Sequence, residues 1–238
     1  MKTPLLPEIA MYPPFEGFPK EGIAFLKQLK KNNTREWFTE HKIAYEENVK
    51  LPMLSLIVAM KAEFQHHAPD IEADVKRSMF RIYRDTRFSK DKTPYKTHAA
   101  AIFHPKGHWQ NSAGFYLHIE PGKIFLGGGI YMPDGAQLKL IRSAVANNAD
   151  EFLTIIQSKQ FKKRFGGKIE GEKLQRIPMG YSVDHPMAEW LKLKQFFTMV
   201  TWEEKECYSK KFIANVVAVY ADGLPLVRFL NEALGKAG

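Results

Sequence analysis

Residues 81–96 read RIYRDTRFSKDKTPYK and hold six basic and two acidic side chains interleaved with aromatic ones. Over residues 80–88, aromatic and β-branched residues alternate with polar ones at a period of two, which predicts a β-strand. A carboxylate between two guanidinium groups can hold both in fixed directions, the geometry that binds phosphate or carboxylate through paired hydrogen bonds. One face of the predicted strand carries this arrangement: Arg81, Tyr83, Asp85 and Arg87.

This charged face has two interpretations. In the functional one, Arg81 and Arg87 bind an anion. Asp85 is then a general base or an orienting carboxylate and Tyr83 a positioning hydroxyl, so both are candidate catalytic residues. In the structural one, Asp85 only neutralises its neighbours in a surface ion-pair ladder, which adds little to stability.

Further anion-binding side chains are predicted after the strand. Residues 89–94 form a loop, because Pro94 cannot donate a backbone hydrogen bond, and loops on a rigid scaffold often present binding groups. A second loop over residues 164–186 is long for a structureless connection and contributes Arg176. The predicted anion-binding set is Arg81, Arg84, Arg87, Lys90, Lys92, Tyr95, Lys96 and Arg176.

The excess positive charge is local. The chain carries a net charge of +9, and residues 76–106 hold nine Lys or Arg against two acids, a net +7. Such a patch indicates an anionic partner, and a small molecule and a nucleic acid predict the same patch. In the nucleic-acid interpretation Lys162, Lys163 and Arg164 extend it into a stripe. A third interpretation is a non-enzymatic interaction module, in which the charges form a structural ion-pair network.

Successive strand patterns follow the basic segment. Residues 97–103 form one strand, residues 114–120 alternate apolar and polar, and Pro121-Gly122 turns the chain into a strand over residues 123–131. Strands without intervening helices favour an α+β fold, with a mainly antiparallel central sheet over about residues 79–131 and N- and C-terminal helices packed on it. Three glycines in the last of these strands leave room for a bulge, another backbone or a ligand. If a ligand lies there, the predicted wall of its pocket is formed by Gly128, Gly129, Tyr131 and His118.

Helix signals lie on both sides of these strands. Asn33 is the predicted cap of a second helix, Pro52 begins a third, and Asp134 caps another. A helix is predicted over residues 187–196, a strand over 197–202, and two closing helices over 209–220 and 225–234.

No metal site is predicted, because the eight histidines show no H-E-x-x-H or similar spacing, and no motif requires a cofactor. His118 and Glu120 form either an acid–base pair or the wet face of a hairpin, and whether His98 joins the site is open. The single Cys207 excludes a disulfide within the chain and is expected to be a packed thiol.

The 238 residues are 45% hydrophobic, which suits a single domain over residues 1–238 with a proline-rich arm at residues 1–19. The N-terminus lacks an apolar signal segment, and no run approaches the ~18 apolar residues of a membrane span. We therefore expect a soluble, cytoplasmic protein without a membrane partner. The sequence leaves the ligand, any reaction and the oligomeric state open.

The central motif R-x-Y-R-D-x-R-F-S-K-D-K-x-P-Y-K resembles the core of a widespread family of uncharacterised proteins, of the domain-of-unknown-function kind. Tyr131 stands where the family often has Trp, which keeps an aromatic wall. The resemblance implies a shared fold and a shared site, and it brings no established activity, substrate or cofactor. Further matching segments are NNTREWF at residues 32–38, GGGIYMP at 127–133, LQRIPMGY at 174–181 and DHP at 184–186.

Overall fold

The structure is a computed structural model that describes residues 11–109 and 111–236. The first ten residues of the predicted proline-rich arm lie outside the described residues. The rest of that arm packs on the body, because the Phe15 ring contacts the Phe212 ring at 6.2 Å and the Phe18 amide donates to the Cys207 carbonyl at 2.7 Å.

A helical layer precedes the sheet. Thr34 caps the second helix, since its hydroxyl accepts from the Trp37 amide at 3.3 Å, so the prediction of Asn33 as the cap is wrong. Pro52 lies in the first turn of a helix, but that helix is the fourth and not the predicted third. The segments are α1 Lys20–Lys31, α2 Arg35–Glu40, α3 Lys42–Tyr45, a π-helical turn Glu46–Lys50 and α4 Leu51–His67.

A five-stranded antiparallel sheet forms the centre of the fold, and its strands pair in chain order. This confirms the predicted α+β class and the predicted hairpin at Pro121-Gly122. The strand predicted over residues 197–202 is confirmed as the fifth strand. The strands are β1 Ile71–Glu72, β2 Ala99–Pro105, β3 Gly114–Glu120, β4 Lys123–Ile130 and β5 Phe196–Glu203.

The strand predicted over residues 80–88 is wrong. The chain pairs with β2 only around Met79, through an isolated bridge to Ala101, and then leaves the sheet. It closes on itself instead, because the Arg84 amide donates to the Pro94 carbonyl at 2.9 Å and the Lys96 amide to the Ile82 carbonyl at 2.8 Å. We call residues 81–96 the basic loop. The sheet is therefore built from residues 71–72 and β2 to β5, not from a continuous segment at 79–131.

A second group of helices follows β4. Asp134 caps α5 in a reciprocal pair with Gln137, as predicted. The helix predicted over residues 187–196 is reduced to the single turn α8, and the two predicted closing helices are one helix, α9, that runs through Pro225. The bounds are α5 Gly135–Asn147, α6 Ala149–Gln157, α7 Lys159–Phe165, α8 Ala188–Leu191, a 3-10 turn Glu204–Tyr208 and α9 Phe212–Ala233.

The two faces of the sheet differ. On the inner face, Phe115, Leu117 and Ile119 are buried in the main hydrophobic cluster, which α9 shares. By length and composition α9 could cross a membrane, yet half of its most apolar 18-residue window is buried inside the fold, as in the core helix of a soluble domain. The other face, which we call the outer face, carries half-buried or exposed side chains: Ile102, Tyr116, His118, Glu120, Phe125 and Met199.

Candidate functional site

Charges of the basic loop are partly neutralised within the loop itself. The Asp85 carboxylate accepts from Arg87 Nε at 3.0 Å and Nη2 at 2.7 Å, and Arg84 donates to Asp91 and Thr93. Hydrogen bonds from Arg87 lower the pKa of Asp85 to about 2. A carboxylate this weakly basic, already held by a guanidinium, is poorly suited to take a proton near neutral pH. The geometry therefore favours the structural interpretation for Asp85 and Arg87.

The tip of the loop is basic and faces solvent. The Lys92 ammonium donates to the Thr86 carbonyl at 2.9 Å, and Lys90 has no partner among the described residues. The Phe88 side chain is 95% exposed, and the Arg87 guanidinium lies 5.8 Å from its ring. Anion binding by Arg87, Lys90 and Lys92 therefore stays a prediction.

Tyr95 belongs to the core. Its ring stacks on Phe38 with 4.1 Å between centroids, and the Asn33 side chain pairs with both of its backbone groups at 2.9 and 3.0 Å. The ring is therefore part of the core, with the residue 5% exposed, and anion binding by Tyr95 stays a prediction. Tyr83 packs beside it at 5.4 Å and is about half exposed, and its catalytic role stays a prediction.

Lys96 and Arg81 meet where the loop returns to the sheet. The Lys96 ammonium donates to the Arg81 carbonyl at 2.9 Å and lies 5.1 Å from the Phe80 ring centroid. Burial, followed by the charge of Arg81, lowers the pKa of Lys96. Within residues 11–109 and 111–236, neither Lys96 nor Arg81 pairs with a carboxylate. Neither side chain has the direct ion pair that Arg84 and Arg87 have, although the charge of Arg81 helps to lower the pKa of Asp85.

Two histidines extend this arrangement across the outer face. The His98 and His118 rings stack at 4.1 Å, and the Tyr116 hydroxyl lies 2.9 Å from His118 Nδ1. His118 Nε2 is buried without a hydrogen bond among the described residues and lies 3.6 Å from the Glu120 carboxylate, which favours the proton on Nε2. Burial lowers the pKa of His118 to about 4, and burial together with the charges of His118 and Lys96 lowers that of His98 to about 4.

We call this group the outer-face cluster: Phe80, Lys96, His98, Tyr116, His118 and Glu120. The Phe80 ring connects the lysine to the residues of β3, since it contacts the Lys96 ammonium and lies 6.1 Å from the Tyr116 ring. The sequence pointed to His118 and Glu120 but not to the stacking of His98 on His118. That contact depends on the β2–β3 register, in which Ala99 pairs with Ile119.

The residues of the predicted pocket wall do not all lie on one face of the sheet. Gly128 faces the core, where an added Cβ would lie 2.9 Å from the Phe115 ring and 3.1 Å from Val227, so this part of the prediction is wrong. Gly129 lies against the β5 backbone, and its lack of a side chain allows β4 and β5 to lie close together there. Tyr131 is 66% exposed, with its ring 5.4 Å from Phe197. Arg176 is exposed in the loop between α7 and α8, with no hydrogen bond to the basic loop.

Neither a metal site nor a reactive thiol is indicated among the described residues. No group of three or more His, Cys, Asp or Glu in this part of the chain could hold a metal ion. The Cys207 thiol is buried, and burial raises its pKa to about 12, which suits the expected packed thiol.

Acid is expected to destabilise the fold through the buried histidines. His98, His104 and His118 have a pKa lowered to about 4 by burial, against an ordinary value of 6.5. Between pH 6.5 and pH 4 these histidines bind protons in the unfolded chain but not in the folded chain. Their contribution to the free energy of unfolding is therefore fully present above pH 6.5 and is lost as the pH falls towards 4.

In His118→Gln the slope of unfolding free energy against pH in this window should fall by up to about 1.4 kcal/mol per pH unit. Urea unfolding at pH 4.5, 5.5 and 7 measures this, with exposed His66→Gln as control. An unchanged slope in His118→Gln would contradict the assignment.

Residues 21–229 match the model of a family described as "Conserved hypothetical protein (DUF2461)". The match includes the basic loop, the sheet and nearly all of α9. It confirms the predicted resemblance to an uncharacterised family. No curated protein and no solved structure matches the chain.

Proposed function

We propose that the chain, which belongs to the DUF2461 family of conserved hypothetical proteins, binds a small phosphorylated or carboxylated molecule at the outer-face cluster. The observation that carries the proposal is the Lys96 ammonium, half-buried beside Arg81 and without a carboxylate partner among the described residues. The proposal keeps the anionic ligand that the charge distribution indicates. It assigns binding to Lys96 and Arg81 instead of the Asp85–Arg87 pair.

Electrostatics favours an anion at this position. Two like charges held close together raise each other's free energy, and a bound anion removes that repulsion. Because Lys96 is half-buried, water screens its charge less than the charges of exposed Lys90 and Lys92. The same anion should therefore interact more strongly with Lys96 than with the loop tip.

The aromatic rings of the cluster suit the uncharged part of such a ligand, and the Glu120 carboxylate lies 3.6 Å from His118 Nε2. His98 and His118 are neutral near pH 7, since burial lowers the pKa of each to about 4, so the two rings can contact a ligand without adding charge. The Phe80 ring is 39% exposed and offers apolar contact beside the ammonium. A few polar groups beside apolar walls are typical of small-molecule sites.

A cytoplasmic location is part of the proposal. The only cysteine, Cys207, is free and buried, so no disulfide within the chain calls for an oxidising compartment.

A thermal-shift screen of the purified chain tests the proposal at low salt. The panel contains inorganic phosphate, sugar phosphates, dicarboxylic acids, and short single- and double-stranded oligonucleotides. A ligand at a hundredfold excess over its Kd should add about 2.7 kcal/mol of stability to the wild type. Lys96→Met should abolish the response to a small anion. Lys92→Met is the matched control, because it removes the same charge from a lysine that also donates to a backbone carbonyl, at 2.9 Å, but lies at the loop tip.

Three results would count against the proposal. Equal loss of the response in both lysine variants would indicate a diffuse basic surface. A response to oligonucleotides alone, weakening steeply with salt, would favour the nucleic-acid interpretation. The absence of a thermal shift with every compound of the panel would favour the interaction module.

A further inference from the structure

A depression lies at the other end of β2, away from the outer-face cluster. It has a volume of about 660 Å³ and is lined by Arg77, Gly107, His108, Trp109 and Lys236. It forms where the β2–β3 connection meets the end of α9. His98 precedes β2 and His104 is near its end, so about 20 Å of strand, at about 3.3 Å per residue, separates the two regions.

Trp109 is the fixed element of this depression. Its indole Nε1 donates to the Glu72 carboxylate at 2.9 Å, and its ring lies 5.9 Å from the His104 ring. His104 is itself held, since its Nδ1 lies 3.0 Å from the Ser112 hydroxyl, which donates to the His108 carbonyl at 2.6 Å. A half-buried indole is thus oriented from both sides. Orienting it before binding reduces the entropy that a ligand stacked on it would lose.

Two cationic residues line the depression beside this ring. The Arg77 guanidinium lies 5.7 Å from the Trp109 ring centroid, and the Lys236 backbone is tied to α9 by a hydrogen bond to the Asn231 carbonyl at 2.7 Å. Neither Arg77 nor Lys236 forms an ion pair in the part of the chain that the structure describes. The nearby Glu72 carboxylate is already engaged by the indole.

We propose that this depression binds a nucleoside monophosphate, with the base stacked on Trp109 and the phosphate between Arg77 and Lys236. Indole rings stack on bases of any type, and a guanidinium fork matches a phosphate. The volume falls within the range of small-ligand sites, roughly 300–1,000 Å³. In the free protein the Arg77 guanidinium lies over the Trp109 ring. A bound phosphate would attract it away from that ring. This site is independent of the outer-face cluster.

Isothermal titration at low salt with adenosine 5′-monophosphate tests the assignment, with adenosine and ribose 5-phosphate as its separate halves. The monophosphate should bind more tightly than either half. Trp109→Leu and Arg77→Gln should each raise its Kd by about tenfold or more, the scale of one lost stacking or phosphate contact. Trp109→Phe should recover part of the binding because it keeps a ring.

Lys76→Gln is the matched control, since it removes an exposed charge from the neighbouring position outside the lining. It should leave the Kd within about twofold, and so should Lys96→Met. Equal binding of ribose 5-phosphate would overturn the stacking, equal loss in Lys76→Gln would overturn the phosphate site, and no heat at millimolar monophosphate would overturn the proposal. Arg77 is exposed, so Arg77→Gln keeps the test valid if Trp109→Leu fails to fold.

Discussion

Replacing Gly129 by alanine is expected to lower the free energy of unfolding by about 3–5 kcal/mol, from backbone strain and overpacking together. Gly129 has a φ of +133°, a conformation that residues with a Cβ rarely adopt. An added Cβ would also lie 2.5 Å from Phe197 Cα and closer still to the Phe196 carbonyl oxygen. These are backbone atoms of β5, which cannot rotate away. The methyl group should therefore push β5 from the sheet.

Gly135→Ala is the matched control. Gly135 begins α5, and a Cβ there meets nothing within 4 Å. Alanine should be neutral or should stabilise the helix by up to about 1 kcal/mol. Urea unfolding of the two variants and the wild type measures both effects. A Gly129→Ala protein within about 1 kcal/mol of the wild type would contradict the close approach of β4 and β5.

Asn231→Ala is the second large change, with an expected loss of about 2–4 kcal/mol. The Asn231 side chain is 3% exposed and pairs with both backbone groups of Ala113, accepting from its amide at 2.9 Å and donating to its carbonyl at 3.1 Å. Alanine would leave a buried N–H and a buried carbonyl without partners. Buried backbone groups in folded proteins are nearly always paired, because each unpaired group loses its hydration without replacement.

Asn33→Ala is the matched control, since Asn33 makes the same double contact with Tyr95. Asn33 is only half-buried, so water can replace the lost bonds, and we expect a loss of about 1 kcal/mol. Thermal and urea unfolding compare the two variants. A loss in Asn33→Ala equal to or larger than that in Asn231→Ala would contradict the role of burial.

Local pattern was enough to predict much of the sheet. The alternation over β3, the turn at Pro121-Gly122 and the strand at β5 follow from residue spacing, and the structure confirms them. The alternation over residues 80–88 misled, because Ile82 is buried in the core cluster while Tyr83 pairs with Tyr95 and not with the sheet. Asn33, which holds Tyr95, is 62 residues away, and no local signal connects the two.

The helices show the same limit. Pro225 has no amide hydrogen and normally ends a helix, which is why two closing helices were predicted. The structure continues α9 through it, with Leu224 and Leu226 buried on either side. Burial on both sides of the proline outweighs the lost hydrogen bond, and burial is not visible in a local sequence window.

For the site, the sequence located the excess positive charge but not which cations are engaged by acidic side chains. The sequence pattern suggested a contact between Asp85 and Arg87, which the structure contains. It could not indicate that Asp91 and Thr93 would engage Arg84, or that Lys96 and Arg81 would form no ion pair among the described residues. Which cations stay available depends on how the loop closes, and that depends on the core beneath it.

The most direct test of anion binding at the outer-face cluster follows the ring resonances of His98 and His118 by NMR. The pKa of each histidine is measured with and without saturating inorganic phosphate, or the best anion from the thermal screen. Burial lowers the pKa of His98 to about 4, and an anion bound beside Lys96 should raise it, because a nearby negative charge favours the imidazolium. We predict a rise in the wild type and in Lys92→Met, and none in Lys96→Met. Saturable anion binding that leaves the pKa of His98 unchanged would contradict the account.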